Sequence, residues 1–212
     1  MKILLVAGGK PETWPDFDFT TFDRYIGVDK GSWYLLEQVG QLDLAVGDFD
    51  SLIPAEKTVV LAKAGEVETA PAEKDDSDTQ LALWETLQRW PQGEITIIGA
   101  TGGRLDHLLA NLWLGLEQRF QPYLSQLEIA DKQNRIRYYL PGSYTVQQIP
   151  GFDYLAYCCL TPVKNLTLRD SKYLLNNVSV TTATAYISNE FLTSKADFSF
   201  SEGCIAVIQS RD

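Results

Sequence analysis

Residues 44–51 read Leu-Ala-Val-Gly-Asp-Phe-Asp-Ser and join a short apolar run directly to an acidic turn. Consecutive aliphatic residues that end at a glycine predict a buried strand over 44–46, with the turn at 47–51. A buried strand followed by polar residues is typical of an open α/β sheet, because ligands bind there at the carboxyl ends of the strands. The chain before and after this stretch repeats the same pattern.

A second acidic group lies at 75–78, where the sequence is Asp-Asp-Ser-Asp. Two interpretations fit either group alone: a solvated acidic turn, or a site where a cation offsets the repulsion between carboxylates. Two groups together with the glycine-rich stretch at 99–104 favour the cation site. A few hard oxygen ligands suit Mg²⁺, which fills its shell with waters and substrate phosphates. The sequence therefore predicts phosphate-transfer chemistry on Mg²⁺.

The first 122 residues or so alternate apolar runs with helical patterns. This alternation predicts a mostly parallel sheet covered by helices. Ser77 and Gln80 form the ends of a capping box, which predicts the start of a helix. The predicted strands are 3–7, 25–28, 44–46, 59–61 and 95–98, and the predicted helices are 32–39, 77–90 and about 106–120.

From about residue 127 the pattern changes to short strand-like segments separated by turn residues. These segments predict an antiparallel β-sandwich of six to eight strands. The expected organisation is an α/β domain over residues 1–124 and a β-sandwich domain over residues 125–212. The predicted strands are 135–140, 144–149, 154–160, 165–168, 185–187, 197–201 and 205–209.

The bulk composition excludes several classes of protein. A net charge of −10 argues against a nucleic-acid binder, which would show a basic face. The three cysteines have neither metal-ligand nor Cys-x-x-Cys spacing, so we expect reduced thiols. No apolar stretch approaches the ~18 residues that a membrane span needs. A soluble, cytoplasmic protein is therefore expected, with no nucleic-acid or membrane partner.

Polar motifs follow several predicted strands, at 27–31, 47–51, 74–78 and 99–107. We expect them to converge on one crevice at the carboxyl ends of the strands. Lys74 and Arg104 would supply positive charge for a phosphoryl group. Gly102 and Gly103 would let backbone N–H groups approach phosphate oxygens.

Other candidate motifs carry less weight. Gly-Gly-Lys at 8–10 lacks the spacing of a Walker P-loop and is followed by Pro11, so it predicts a tight turn. His107, the only histidine, fits either a polar residue at a helix start or a site residue. No Ser-His-Asp arrangement or zinc spacing is supported.

The chain resembles the thiamine pyrophosphokinase family over nearly its whole length. The motifs are Gly-Asp-Phe-Asp-Ser at 47–51, Glu-Lys-Asp-Asp-Ser-Asp at 73–78, Gly-Ala-Thr-Gly-Gly-Arg-Leu-Asp-His at 99–107 with Asn111, Leu-Thr-Leu-Arg at 166–169, Tyr-Leu-Leu at 173–175 and Ile-Ser-Asn-Glu-Phe at 187–191. The chain departs from the family at Lys30, where Gly is usual, at Ser77, where Thr is common, and at Tyr186, where Gly often stands. Lys30 is thus either a bystander or a local variation in phosphate contact.

The resemblance implies a homodimer with active sites between subunits, and transfer of the diphosphate of ATP to the hydroxyl of thiamine. Mg²⁺ on the triphosphate would be held by Asp48, Asp50, Asp75 and Asp78. Either Asp75 or Asp78 would accept the hydroxyl proton, and Lys74 and Arg104 would stabilise the transferring group. The nucleotide or acceptor would be lined by Asp29, Ser51, Thr101, Gly102, Gly103, Asp106, His107 and Asn111. Ser188 and Asn189 of the partner subunit would hold the thiamine pyrimidine ring, although from sequence alone they also fit an ordinary turn.

Two other functions fit part of the sequence. A metal-dependent nucleotide-sugar transferase would use Asp48 and Asp50 on a diphosphate but would leave 74–78 without a role. A thiamine or nucleotide binding module would leave the clustered carboxylates unexplained. The product separates the three, since they release AMP, a nucleoside diphosphate and nothing, respectively.

Overall fold

The computed structural model describes residues 1–69 and 75–212, and the chain divides into two units. Unit 1 contains Met1–Leu114 and Gln126–Lys132, and unit 2 contains Gly115–Ser125 and Gln133–Asp212. The predicted division between residues 124 and 125 falls within the stretch where the chain passes between the units. No helix in the described part of the chain is long and apolar enough to cross a membrane.

Unit 1 is built on a parallel sheet of six strands, in the order β6-β5-β1-β2-β3-β4. β1 lies near the centre, and its Leu5 pairs with Ile26 on one side and Ile97 on the other. These side chains are fully buried, which explains the continuous apolar runs in the sequence. The strands are β1 (Lys2–Val6), β2 (Arg24–Val28), β3 (Leu42–Gly47), β4 (Ala64–Thr69), β5 (Glu94–Ile98) and β6 (Leu127–Ala130).

Four helices complete unit 1: α1 (Lys30–Val39), α2 (Pro54–Lys63), α3 (Asp78–Arg89) and α4 (Leu105–Leu112). The predicted capping box of α3 is present, since Ser77 N donates to Gln80 Oε1 at 2.8 Å and Gln80 N donates to Ser77 Oγ at 3.3 Å. This box fixes Asp78 at the first position of α3.

Two predicted elements of unit 1 are wrong. The apolar run 59–61 lies in α2, which Pro54 begins at a favourable first position. Only Val60 of that run is buried, because the helix turns Val59 and Leu61 outward. The helix predicted over 106–120 ends at Leu112 and gives way to a 3₁₀ turn over Trp113–Leu116.

β4 is an edge strand of this sheet and carries an acidic surface. Arg89, in the last turn of α3, bonds to Glu66 through Nε at 2.9 Å and approaches Glu68 at 3.7 Å. The same guanidinium also contacts Glu85 one turn earlier in α3. One arginine therefore ties the end of α3 to the outermost strand.

Unit 2 is an antiparallel β-sandwich of eight strands. Its sheets have the orders β12-β9-β14-β7 and β11-β10-β13-β8. Tyr157 from the first sheet packs on Phe198 from the second, with ring centroids 5.2 Å apart. The strands are β7 (Asn134–Tyr139), β8 (Gly142–Gln147), β9 (Tyr154–Cys159), β10 (Val163–Arg169), β11 (Leu175–Val180), β12 (Thr184–Glu190), β13 (Lys195–Phe200) and β14 (Ile205–Ser210). The predicted fold class, an α/β unit followed by a β-sandwich, is confirmed.

Candidate active site

Polar residues follow five strands of unit 1 at the carboxyl-terminal edge of the sheet. Because all six strands are parallel, the residues after each strand meet at one edge. The segments after β1, β2, β3, β5 and β6 are, respectively, 7–10, Asp29, Asp48, 99–104 and Asp131. They form an acidic cluster near β2 and β3, and a glycine-rich cavity near β1 and β5.

The acidic turn after β3, at residues 47–51, packs against the side chain of Asp29. Asp29 has a φ of 44° and its Oδ1 accepts a hydrogen bond from Phe49 N at 3.1 Å. Gly47 allows this approach, because a Cβ at Gly47 would lie 1.9 Å from Asp29 Oδ1. Asp48 Oδ1 in turn accepts from Asp50 N at 3.0 Å, which closes the turn.

Three carboxyl groups converge in this acidic cluster: Asp29, Asp48 and Asp78. Burial, followed by the nearby charge of Asp78, raises the pKa of Asp29 to about 7. Asp48 adds to this effect, and the hydrogen bond from Phe49 N opposes it. A side-chain hydrogen bond between Asp29 and Asp78 raises the pKa of Asp29 further.

One lysine holds the acidic turn through its backbone, and a second fixes the start of the helix that follows. Lys57 Nζ donates to Asp48 O at 3.0 Å and lies 5.7 Å from the centre of the Phe49 ring. Lys30 Nζ lies 2.5 Å from Glu56 Oε2, and the same oxygen accepts from Ile53 N at 3.1 Å. Lys30, the departure from the family pattern, is therefore half of an ion pair that fixes the start of α2.

The acidic cluster has the chemistry of a Mg²⁺ site that is completed by substrate. Its donors are all carboxylate oxygens, and burial together with the neighbouring carboxylates raises the pKa of Asp29, as expected where a cation is needed. Over residues 1–69 and 75–212, no group of three or more His, Cys, Asp or Glu could hold a metal ion alone. Mg²⁺ commonly uses one or two carboxylates together with substrate phosphates, so the cluster fits that ion.

A cavity of about 440 Å³ opens beside the cluster. Its wall consists of 7–10, Thr13, Thr79, 99–104, His107 and Asn111. Gly102 and Gly103 have φ values of 76° and 66°, and a Cβ on either would meet no atom within 4 Å. These two glycines therefore leave open space for a ligand against the backbone.

Two buried polar side chains brace the glycine-rich loop from behind. Asn111 Nδ2 donates to Ala100 O at 2.8 Å, which ties the loop to α4. Thr101 Oγ1 donates to Asp131 Oδ2 at 2.6 Å, which ties it to the end of β6. The loop is thus held in place before any ligand arrives.

The other predicted residues of unit 1 lie at the rim. Asp50, Ser51 and Asp75 are exposed. Arg104 and Asp106 form an exposed ion pair at 2.5 Å, and the hydrogen bond from Arg104 lowers the pKa of Asp106. Lys74 lies outside the described residues.

In unit 2, Ser188 and Asn189 occupy different environments on β12. Asn189 is buried, and its amide is fully engaged: Nδ2 donates to Ser171 Oγ and Tyr173 O, while Oδ1 accepts from Tyr173 N and Glu190 N. Ser188 is exposed and has a φ of 58°. Asn189 also borders a cavity of about 330 Å³ that includes Tyr173, Tyr186 and Ile187.

Sequence reasoning missed three residues of the unit 1 site. Lys10 and Thr79 line the cavity, and Asp131 braces the glycine-rich loop. Lys10 could have been predicted as a site residue, because it follows a buried strand as the acidic motifs do. Asp131 had almost no sequence signal, because it follows a strand of only four residues.

Comparisons with known proteins cover the whole chain. The family model described as "Thiamin pyrophosphokinase, catalytic domain" matches residues 19–124, and that described as "Thiamin pyrophosphokinase, vitamin B1 binding domain" matches residues 143–205. Thiamine pyrophosphokinase of Bacillus subtilis (strain 168) is 36% identical over 218 residues, covering 99% of each chain.

Solved structures give the same result. A thiamin pyrophosphokinase family protein from Enterococcus faecalis is 59% identical with a TM-score of 0.97, and 100% of each chain is covered. The thiamine pyrophosphokinase structure from Bacillus subtilis is 35% identical with a TM-score of 0.86, again over 100% of each chain. The resemblance seen in the sequence motifs is confirmed, and the chain belongs to the thiamin pyrophosphokinase family.

Proposed function

We propose that this protein transfers the diphosphate of ATP to the hydroxyl of thiamine, giving thiamine diphosphate and AMP, and that the reaction depends on Mg²⁺. The observation that carries the proposal is the convergence of Asp29, Asp48 and Asp78 beside the glycine-rich cavity. Family membership supports the reaction, and this geometry supports the binding of a metal-bound triphosphate beside the cavity.

Asp48 and Asp78 would hold the metal, with Asp50 and Asp75 as further ligands, directly or through water, and Asp29 would line the nucleotide site beside them. Mg²⁺ bound there would neutralise charge on the triphosphate and on departing AMP. The backbone at Gly102 and Gly103 would bind phosphate oxygens, with Thr101 held in place by Asp131. Asp106, His107 and Asn111 would border the nucleotide or the acceptor, and Lys74 and Arg104 would stabilise the transferring group.

Asp75 and Asp78 stay the two candidates for accepting the thiamine hydroxyl proton. Asp78 lies inside the acidic cluster, whereas Asp75 is exposed just before α3. The variants Asp75→Asn and Asp78→Asn separate these roles. Loss of the acceptor removes the limb of the pH–rate profile that reports its ionisation, whereas loss of a ligand raises the Mg²⁺ concentration needed for half-maximal rate.

Thiamine would bind at β12 of unit 2, with the exposed Ser188 as the contacting group and Asn189 as its support. The engaged amide of Asn189 supports this division, because each of its hydrogen-bonding positions already has a partner. Following the family resemblance, the β12 of one subunit would serve the acidic cluster of its partner in a homodimer. Ile187 and Leu192, each 67% exposed, are compatible with a covered surface near β12. Light scattering on the purified protein tests the dimer.

A cytoplasmic location stays a prediction. It rests on the three cysteines, which are all unpaired thiols, two of them buried.

The test of the proposed function is an AMP assay with ATP and Mg²⁺, in the presence and absence of thiamine. AMP released only with thiamine supports diphosphate transfer, whereas thiamine-dependent ADP would indicate transfer of one phosphate. Asp48→Ala is expected to abolish turnover while leaving the melting temperature near that of the wild type. Full activity of this variant with Mg²⁺ would contradict the metal assignment.

A further inference from the structure

The loop after β1 is a rigid wall of the cavity. Gly9 N donates to Gly99 O at 2.9 Å, and a Cβ on Gly9 would lie 2.5 Å from that oxygen. Trp14, which is buried, donates from Nε1 to Gly9 O at 2.9 Å. The backbone of this loop is therefore locked against the glycine-rich loop on one side and anchored by an indole on the other.

Lys10 sits at the tip of this wall with its backbone fixed. Thr13 donates to Lys10 O twice, from Oγ1 at 2.8 Å and from N at 3.1 Å. Pro11, the next residue, begins a 3₁₀ turn and limits the conformations of the loop further. The point from which the Lys10 side chain leaves the backbone is thus fixed at the mouth of the cavity.

The charges around the cavity point to an anionic ligand. The chain carries a net charge of −10, yet no carboxylate is among the side chains of the described residues that line this cavity. Two permanent cations line it, Lys10 and Arg104. Arg104 is paired with Asp106, whereas Lys10 makes no ion pair with any residue in 1–69 or 75–212.

We propose that Lys10 binds a phosphate oxygen of the nucleoside triphosphate and makes the cavity selective for phosphorylated ligands. This inference rests on the proposed function, because it takes the cavity to be the nucleotide site. The tight turn that the sequence predicts at 8–10 then has a second role, which is to hold an ammonium group opposite Gly102 and Gly103. Because the backbone of this loop is already fixed, no loop has to be ordered when a phosphate binds at Lys10.

The test is isothermal titration of the full-length protein with Mg²⁺–ATP and, separately, with adenosine. In Lys10→Met the dissociation constant for ATP is expected to rise about tenfold, the size of one exposed charge-assisted hydrogen bond, while that for adenosine stays unchanged. Lys10→Arg, which keeps the charge, is expected to recover most of the affinity. Lys63→Met removes an exposed lysine at the end of α2 and serves as the matched control.

Three results would overturn the inference. Equal ATP affinity in Lys10→Met and wild type would show that the ammonium does not contact phosphate. Parallel losses for ATP and adenosine would assign Lys10 a purely structural role. Absence of ATP binding by the wild-type protein would contradict the proposed function and the inference together. Because it is measured on the wild type, this result is distinguishable from a failure of the inference alone, which is measured on Lys10→Met.

Discussion

Asp29→Asn is expected to make the metal-free protein more stable above neutral pH, although it removes a proposed site residue. The side chain keeps its shape, and Asn Oδ1 can still accept from Phe49 N. The backbone at φ 44° is tolerated by Asn about as well as by Asp. What changes is the charge, because the substitution removes one carboxylate from the group formed with Asp48 and Asp78.

The magnitude follows from the raised pKa of Asp29. In the folded state that pKa is about 7, against 3.8 for the unperturbed group, so the folded protein binds more protons than the unfolded chain between these values. The free energy of unfolding of the wild type therefore falls as pH rises through this window and stays low above it. A shift of about three pKa units corresponds to at most ~4 kcal/mol, and partial exposure of Asp29 reduces this to about 2 kcal/mol. For a chain of this size, that is a difference in melting temperature of roughly 4–8 °C.

The assay is thermal unfolding of wild type and Asp29→Asn without Mg²⁺, at about pH 5 and about pH 8. The variant should melt higher at the higher pH, and the gap should shrink at the lower pH, where wild-type Asp29 is protonated in the folded state. Asp16→Asn, at an exposed position of unit 1, is the control for a general effect of net charge. A variant that melts at or below the wild-type temperature at both pH values would refute the idea that burial and the neighbouring carboxylates make the charge of Asp29 destabilising.

Three further outcomes are expected. Lys57→Met frees Asp48 O and should lower kcat/KM for Mg²⁺–ATP about tenfold while circular dichroism stays unchanged; an unaltered rate would mean that the turn holds itself. Gly9→Ala forces a Cβ against Gly99 O and should reduce the free energy of unfolding by about 1–3 kcal/mol in urea titrations, and an unchanged midpoint would show that the loop yields without cost. Asn189→Ala leaves buried polar groups without partners and should raise the KM for thiamine but not that for ATP; equal changes in both constants would argue against a role confined to β12.

The parallel sheet was predictable because its signals are local. The run 3–7 is buried on both faces and is apolar throughout, and the run 95–98 is apolar except for Thr96. The start of α3 is encoded within Ser77–Gln80. The run 59–61 was wrongly predicted to be a strand, because three apolar residues fit a buried strand and a helix equally well. β4 escaped prediction for the opposite reason, since an exposed edge strand has no need of an apolar run.

For the candidate site, the sequence indicated residue types and strand ends but not which side chains meet. Asp29 and Asp78 are far apart in the chain, and only the order of β2 and β3 beside α3 brings their carboxyl groups together. The internal hydrogen bonds of Asn189 also depend on a residue eighteen positions away. Contacts of this kind are set by topology, which periodicity and turn chemistry do not report.

The charged residues of β4, and the ion pairs that Arg89 forms with them, also affect association between separate molecules. An edge strand offers unpaired backbone groups on which a strand of another molecule can assemble, the first step of aggregation. Glu66 and Glu68 place carboxylates along this edge, and a second copy of β4 would bring the same charges against them. Arg89 offsets the negative charge of these glutamates within one molecule. The carboxylates still disfavour pairing of β4 with the β4 of a second molecule. Replacing these glutamates with valine is expected to make concentrated protein aggregate faster without changing its fold.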